Sequence, residues 1–272
     1  MRKPLLYVAV GMKGSGKSRR TITILRAYRD QYRRKVLLMD NQNEYSEKQH
    51  YPDVRTLGHT NIALFCAHPE ISIRRIPPFK SNGEEMIPDE KAKMVLHILQ
   101  YFHDGLLLLE DINDYVYDYV DPALVGKILS QRHKGTDLIM HFHSLGAIQK
   151  KLWRHIDVIR LHKTEDNVID NRDKFSDKYE MFRIGEILVN KQYEQGNVYF
   201  NIELMMPQRK IVGGFSSADR DEAIDEYISL HYTKQINPYL NRRARGGKTQ
   251  YTEDSAFEEE HQRILKMYFT HE

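Results

Sequence analysis

A glycine-rich segment near the start of the chain has the residue types and spacing of a phosphate-binding loop. Residues 11–18 read GMKGSGKS and fit the pattern G-x-x-x-x-G-K-[ST]. Glycines let such a loop curl until its backbone N–H groups point at phosphate oxygens, and a Cβ there would obstruct the curl. Lys17 would reach the β- and γ-phosphates of a nucleoside triphosphate, and the Ser18 hydroxyl would ligate Mg²⁺. The residues predicted to bind this nucleotide are Gly11, Met12, Lys13, Gly14, Ser15, Gly16, Lys17, Ser18 and Arg19.

Two acidic residues follow a run of four leucines further along the chain. Glu110 and Asp111 come directly after residues 106–109, so they lie where a buried strand ends. In an open α/β sheet that edge also carries the phosphate loop. Hydrolysis needs carboxylates that hold Mg²⁺ through water and orient the attacking water. We assign Glu110 to the metal, because it directly follows the apolar positions, and Asp111 to the water. The reverse assignment and a simple helix-capping role are the alternatives.

Three further segments carry polar side chains that could complete such a site. Residues 40–45, DNQNEY, follow an apolar strand and either contact the nucleotide, its metal shell or a neighbouring subunit, or form a solvated turn. His143 follows another strand and either senses the γ-phosphate or is an ordinary hydrogen-bonded histidine. Arg132 either neutralises the transferring phosphoryl group in a neighbouring subunit or is a solvated cation at a helix end. His141 shares a strand face with His143, but neither has a partner at zinc-ligand spacing.

Short apolar runs alternate with helical patterns over the first two thirds of the chain. The predicted strands are residues 5–10, 36–39, 106–109, 138–142 and 158–161. Helices are predicted over residues 89–103, from a cap at Asp121 to about Gly135, and after a cap at Ser144. This alternation predicts an α/β fold with a mostly parallel central sheet flanked by helices.

The pattern changes after about residue 180. Residues 186–193 and 198–204, joined by a turn at 195–197, predict a β-hairpin. Ser217 is predicted to cap a helix, and an amphipathic helix is predicted over residues 252–269. Between them, residues 237–249 read as a flexible basic linker. We therefore expect an ATPase core at 1–180, a hairpin and helix at 181–236, and a linker with a C-terminal helical extension at 237–272.

Composition excludes some classes of protein. The 272 residues include 41 basic and 38 acidic side chains, a balance that requires any DNA contact to come from local basic patches. Candidate patches are residues 242–248, which would otherwise be a disordered linker, and the hairpin near Lys191. No apolar run approaches the about 20 residues that span a bilayer. Cys66 is the only cysteine. We therefore expect a soluble protein without a membrane span, in a reducing compartment such as the cytoplasm.

These motifs together resemble the FtsK/HerA group of P-loop DNA translocases, over about residues 4–165. Within that group the compact size resembles viral genome-packaging ATPases and Zot-like phage assembly proteins. The features that carry the resemblance are the turn Asn43, Glu44 and Tyr45, the doublet Glu110 and Asp111, Arg132 before the fourth core strand, and His143 after it. The sequence departs from the group in its inverted acid pair, in His143 where glutamine is common, and in Asn43 where glycine is common.

The resemblance implies a RecA-like fold, a hexameric or pentameric homo-oligomeric ring, an Arg132 that acts in trans, and a central channel that grips double-stranded DNA. A packaging role adds a capsid portal or vertex protein as partner and a setting in the host cytoplasm or virion. We expect an Mg²⁺-dependent ATPase that moves DNA. The alternatives are a Zot-like export ATPase, a nucleotide-dependent switch with slow turnover, and a small-molecule kinase, for which the sequence shows no arginine-rich lid.

Overall fold

The computed structural model describes residues 3–46, 51–114, 122–242 and 250–269. The chain divides into two compact units. The first comprises Met1–Arg160 with Thr164–Asp166, and the second comprises Leu161–Lys163 with Asn167–Glu272. Within the described ranges, no helix combines the length and apolar character needed to cross a membrane.

The first unit is built on a parallel sheet. Its strands are β1 (Leu6–Val10), β2 (Val36–Met39), β3 (Val54–Thr56), β4 (Ile73–Ile76), β5 (Leu106–Leu109), β6 (Asp137–Phe142) and β7 (Val158–Leu161). Its helices are α1 (Lys17–Asp30), α2 (Ile62–Ala67), α3 (Pro88–Tyr101), α4 (Pro122–Ser130) and α5 (Lys150–Trp153). The strand order is β3-β4-β2-β5-β6-β1-β7, and each pair from β3 to β1 is parallel. This confirms the predicted α/β fold with a mostly parallel sheet flanked by helices.

The central strands are apolar because both of their faces are covered. Every residue of β2, β5 and β6 is buried, which is typical of a parallel sheet packed between helices. One face packs on α1, whose Ile22, Leu25 and Tyr28 join Leu38 and Leu108 in a single cluster. Spacings of three residues place these α1 side chains on one stripe of the helix. The carboxyl ends of β1, β2, β5 and β6 therefore meet at one edge of a rigid sheet.

The second unit is mostly helical. Its helices are α6 (Arg172–Phe175), α7 (Tyr179–Glu194), α8 (Ser217–Leu230), α9 (Tyr232–Gln235), α10 (Asn237–Leu240) and α11 (Glu253–Tyr268). Its hairpin is β8 (Ile202–Met205) with β9 (Lys210–Gly213), paired antiparallel. The helix predicted over 252–269 is α11, and Thr252 caps it.

The predicted hairpin is wrong in its first strand. Residues 186–193, and Lys191 with them, belong to α7. Of the second predicted strand, 198–204, only residues 202–204 lie in a strand, β8, which pairs with β9. The apolar side chains of residues 181–189 are almost all buried, so this part of α7 is covered on nearly every side. A helix that is buried on nearly every side has no polar stripe to mark its period in the sequence. The pattern of residues 186–193 therefore does not distinguish a helix from a strand.

Several helix boundaries also differ from prediction. Ser144 does not cap a helix: the carboxylate of Asp166 accepts the N–H groups of residues 145 and 146 at 3.1 and 2.7 Å, which fixes this segment as turns until α5 begins at Lys150. The cap of α8 is Ser216 rather than Ser217. Asp121 lies outside the described residues, as do residues 243–249 of the basic segment. Arg242 is described and is exposed.

Candidate functional site

The glycine-rich loop connects β1 to α1 in a left-handed bend. Gly14 and Gly16 have φ of 80° and 88°, a region that L-residues with a Cβ rarely adopt. No atom lies within 4 Å of a Cβ built on Gly14, so the predicted steric obstruction is absent there and the backbone conformation itself requires glycine. The N–H of Gly11 donates to the carbonyl of Phe142 at 3.1 Å, which joins the loop to the end of β6.

Lys17 is buried at the start of α1. Its Nζ donates to the carbonyl oxygens of Gly11 and Met12 at 2.6 and 3.2 Å. Burial lowers the pKa of Lys17, and the negative charges of Asp111, Glu44 and Glu110 partly offset that effect. The ammonium group therefore lies inside the loop, close to the acids that follow β2 and β5.

The Ser18 hydroxyl lies between two carboxylates. Its Oγ donates to Glu44, and it is 3.4 Å from Oε1 of Glu110. Glu110 is 1% exposed and follows β5 directly, as the sequence predicted. The structure thus brings Lys17, Ser18 and Glu110 together, and it adds Glu44 as the acid in direct contact with the hydroxyl. The sequence had left the role of Glu44 open.

The site carries an excess of negative charge. Burial raises the pKa of Glu110 well above its usual value, and the nearby charges of Asp40, Glu44 and Asp111 raise it further. Carboxylate and hydroxyl oxygens are the ligands that Mg²⁺ accepts, and such a cation would relieve this repulsion. Mg²⁺ usually takes one or two carboxylates together with water and phosphate oxygens. Among the described residues, no three His, Cys, Asp or Glu side chains are arranged to hold a metal alone.

Asp111 lies beside His143. Nε2 of His143, on a half-exposed side chain, is 3.2 Å from Oδ1 of Asp111. Burial raises the pKa of Asp111, but the contact with His143 and the charges of His143, His141 and Lys17 outweigh burial and bring the pKa below its usual value. The Asp111 backbone has φ of 40°, in the left-handed region. The two neighbouring acids therefore differ: Asp111 holds its negative charge more readily than Glu110.

His141 connects the first turns of α1 to the acids. The ring is completely buried, with Nε2 2.9 Å from Oγ1 of Thr21 and Nδ1 3.8 Å from Oε1 of Glu110. Sequence analysis had considered His141 only as a possible zinc ligand. Its position inside β6, next to β5, is the signal that places it beside Glu110.

The turn after β2 is not a solvated turn. Asp40 is fully buried, and its carboxylate accepts the N–H groups of Glu44 and Tyr45 at 2.8 and 3.1 Å. Asn43 adopts φ of 55° at the centre of the turn. Arg75, on β4, donates to this same carboxylate at 2.7 Å. Sequence analysis missed Arg75 because it missed β4.

The remaining predicted residues of the loop lie around this centre, whereas Arg132 precedes β6 and therefore lies toward the opposite, amino-end edge of the parallel sheet. Ser15 is buried in the loop, and Lys13 and Arg19 are exposed beside it. Arg132 lies in the short 3₁₀ turn Gln131–Lys134 between α4 and β6. Its side chain is outside the part of the chain that the structure describes, so the two interpretations of Arg132 both stay open.

Comparison with known proteins shows similarity at the level of fold. No protein-family model and no curated protein matches this sequence. The genome packaging NTPase B204 from Sulfolobus turreted icosahedral virus 2, in complex with ATP-gammaS, is similar with a TM-score of 0.52 and 17% identity over 78% of this chain and 96% of that chain. The same protein in complex with AMP gives a TM-score of 0.52 and 16% identity over 79% of this chain and 98% of that chain. These matches confirm the resemblance to a viral packaging NTPase fold.

A second predicted resemblance is weaker. The N-terminal domain of zonular occludens toxin from Neisseria meningitidis gives a TM-score of 0.35 and 12% identity over 58% of this chain and 76% of that chain. That score is too low to support an argument about function.

Proposed function

We propose that this protein is an Mg²⁺-dependent ATPase that moves double-stranded DNA, as a subunit of a viral genome-packaging motor. The observation that carries the proposal is the meeting of Lys17, Ser18, Glu44 and Glu110 at one edge of the sheet. A lysine in a left-handed glycine loop, a hydroxyl and adjacent carboxylates are the parts that phosphoryl transfer requires.

The phosphate loop would supply most of the binding energy for the nucleotide. Its N–H groups and the positive end of α1 would hold the phosphates. Lys17 would exchange its bonds to the carbonyls of Gly11 and Met12 for bonds to phosphate oxygens, where it neutralises charge that develops on the transferred group. Because its ammonium is already buried in the loop, little reorganisation is needed when a triphosphate enters.

Ser18, Glu110 and Glu44 are the residues that would hold Mg²⁺, with the carboxylates acting directly or through water. When bound, the cation would supply charge neutralisation between the β- and γ-phosphates. Asp111 would accept a hydrogen bond from the attacking water, and His143 would keep its carboxylate oriented. The lowered pKa of Asp111 supports its role, since a residue that orients water must remain ionised.

DNA transport is supported less directly. The fold is similar to that of a protein described as a genome packaging NTPase, and a ring with trans-acting Arg132 would follow from the same resemblance. Residues 242–248 supply basic groups for a channel, and contacts of this kind to phosphates are independent of sequence and weakened by salt.

A nucleotide-dependent switch is the second candidate function, and the inverted order of the acid pair Glu110 and Asp111 favours it. The two functions differ in whether bound ATP is consumed.

One set of ATPase measurements distinguishes these functions. For a motor, we expect Mg²⁺-dependent ATP hydrolysis that increases when duplex DNA is added, decreases with salt, and falls by about tenfold or more in Lys17→Ala. Exposed Lys13→Ala, in the same loop, should have a much smaller effect and serves as the matched control. Tight ATP binding without turnover under all conditions would instead establish the switch, and consumption of ATP in proportion to an added small acceptor would establish a kinase.

A further inference from the structure

We propose that Arg75 is a positioning residue for catalysis, which holds the turn 40–45 so that Glu44 meets the Ser18 hydroxyl. This inference rests on the proposed ATPase function and assigns a role to a residue outside the phosphate loop and the acid pair. Arg75 lies on β4, on the far side of β2 from the acids that follow β5.

One guanidinium nitrogen of Arg75 makes two contacts in the turn. Nη1 donates to Oδ2 of Asp40 at 2.7 Å and to Oδ1 of Asn43 at 2.6 Å. The Arg75 side chain is 11% exposed and that of Asp40 is fully buried. A buried charge-assisted bond of this kind is both strong and geometrically specific.

The Asp40 carboxylate passes this constraint to Glu44. Its Oδ1 accepts the N–H of Glu44 and its Oδ2 accepts the N–H of Tyr45, so both ends of the carboxylate are bound to the segment that follows. Tyr45 is fully buried and ring-packed on Tyr51, which fixes the end of the turn. Glu44 therefore has little freedom to leave Ser18 while Asp40 keeps its orientation.

Asn43 shows why the turn needs an external partner. Its φ of 55° places it in the left-handed region, which costs energy for a residue with a Cβ. The bond from Arg75 to the Asn43 side chain holds this conformation. Without Arg75, the turn would lose the contact to Asn43 and the partner of a buried charge at the same time.

Charge gives the second reason. Asp40 and Glu44 both place negative charge near Glu110. Arg75 neutralises Asp40 and limits the repulsion among acids that must stand together around the nucleotide. Loss of Arg75 would leave Asp40 buried and uncompensated.

The adjacent arginine provides a matched control. Successive residues of a strand point to opposite faces, so Arg74 and Arg75 do not share an environment. Arg74 donates instead to Glu70 at 3.2 Å and to Ser72 at 3.1 Å, away from the turn. Arg74→Gln should therefore keep wild-type turnover, and it controls for the loss of one positive charge on β4.

The test measures ATP turnover and nucleotide binding separately in Arg75→Gln, Arg75→Lys, Asn43→Ala and Arg74→Gln. A fluorescent ATP analogue gives the affinity. For Arg75→Gln we expect kcat to fall about a hundredfold, because small displacements of positioned groups cost about that much, while affinity changes little. Arg75→Lys keeps the charge, and its kcat should lie between those of wild type and Arg75→Gln. Added guanidinium should restore part of the activity of Arg75→Gln.

Each outcome bears on the proposal. Equal kcat in Arg75→Gln and Arg74→Gln would overturn the proposal. A parallel loss of turnover and affinity in Arg75→Gln that guanidinium does not rescue would also overturn it, because that result indicates general damage to the fold. If Arg75→Gln does not fold, Arg75→Lys and Asn43→Ala decide: reduced kcat with retained affinity supports the role, and wild-type kcat in both refutes it. A wild-type chain without ATPase activity would refute the proposed function itself, a result separable from an active wild type with an unchanged Arg75 variant.

Discussion

Replacing Glu110 by glutamine should stabilise the nucleotide-free protein while it removes activity. The substitution keeps the shape of a buried side chain and removes a carboxylate from a group of acids. Glu44 and Glu110 both lie within hydrogen-bond distance of the same Ser18 oxygen, so their nearest oxygens are at most about 7 Å apart. Two unit charges at that separation repel by about 2 kcal/mol at an effective dielectric constant of about 20.

At a pH where Glu110 is ionised in the fold, the expected stabilisation is therefore about 2 kcal/mol from Glu44 alone, or about 4 °C in melting temperature for a chain of this size. Its pH dependence follows from the raised pKa of Glu110. Between the pKa of the unfolded glutamate and the higher pKa in the fold, only the folded state holds the proton. Wild-type stability must then fall as pH rises through this window. The glutamine variant lacks this loss, so its advantage should grow as pH rises from the pKa of unfolded glutamate, about 4.3, toward the raised pKa of Glu110.

Thermal melting of wild type and Glu110→Gln in EDTA, at a series of pH values, measures this difference in stability. The control is Glu186→Gln, a buried carboxylate that accepts the N–H of Val168 at 2.8 Å and pairs with Arg183. Because Glu186 has its partners, this change should destabilise by about 1 to 2 kcal/mol. The turnover of Glu110→Gln should fall by about a hundredfold or more. A Glu110→Gln protein that melts below wild type in EDTA at high pH would refute the picture of crowded, mutually repelling acids.

Four other substitutions test separate parts of the structure. Arg132→Ala should leave nucleotide binding intact and remove turnover, and mixing it with Glu110→Gln subunits should partly restore activity if the arginine acts in trans; full activity of Arg132→Ala alone would dismiss that role. Bonds to two arginines of α1 lower the pKa of Asp53 to about 2. We expect Asp53→Asn to lower the free energy of unfolding by about 1 kcal/mol, a figure reduced because the carboxylate is partly exposed. This contribution is present above about pH 4 and disappears as pH falls toward 2, so acid melts of the two proteins should converge. Gly14→Ala should cost about 1 to 2 kcal/mol through its left-handed backbone, whereas Gly126→Ala, in open space within α4, should be neutral or stabilising by about 1 kcal/mol in the same melting assay.

The strands that could be predicted were the ones buried on both faces. β2 and β5 were predicted residue for residue because their sequences, VLLM and LLLL, are uninterrupted apolar runs. β3 and β4 were missed because at least half of the residues in VRT and IRRI are polar, and these strands lie at the outer part of the sheet. β7, VIRL, carries a single arginine within an otherwise apolar run and was predicted. The local sequence pattern of apolar residues indicates which segments are buried. It does not indicate which polar residue has a buried partner far away in the chain.

The same limit applies to the site. Lys17, Ser18, Glu110 and Asp111 follow from motif and strand position, and the structure places them together. Arg75 lies 35 residues after its partner Asp40 and belongs to no motif, so only the pairing of β2 with β4 brings them into contact.

The two turns that carry Glu44 and Asp111 bend in the same unusual way, at Asn43 and at Asp111. After glycine, asparagine and aspartate are the residues that adopt this conformation at least cost. We expect a library that randomises both codons, selected for folded protein, to return these three amino acids far above all others. Engineering of a new nucleotide preference should therefore begin elsewhere in the chain, since these two positions tolerate almost no chemical variety.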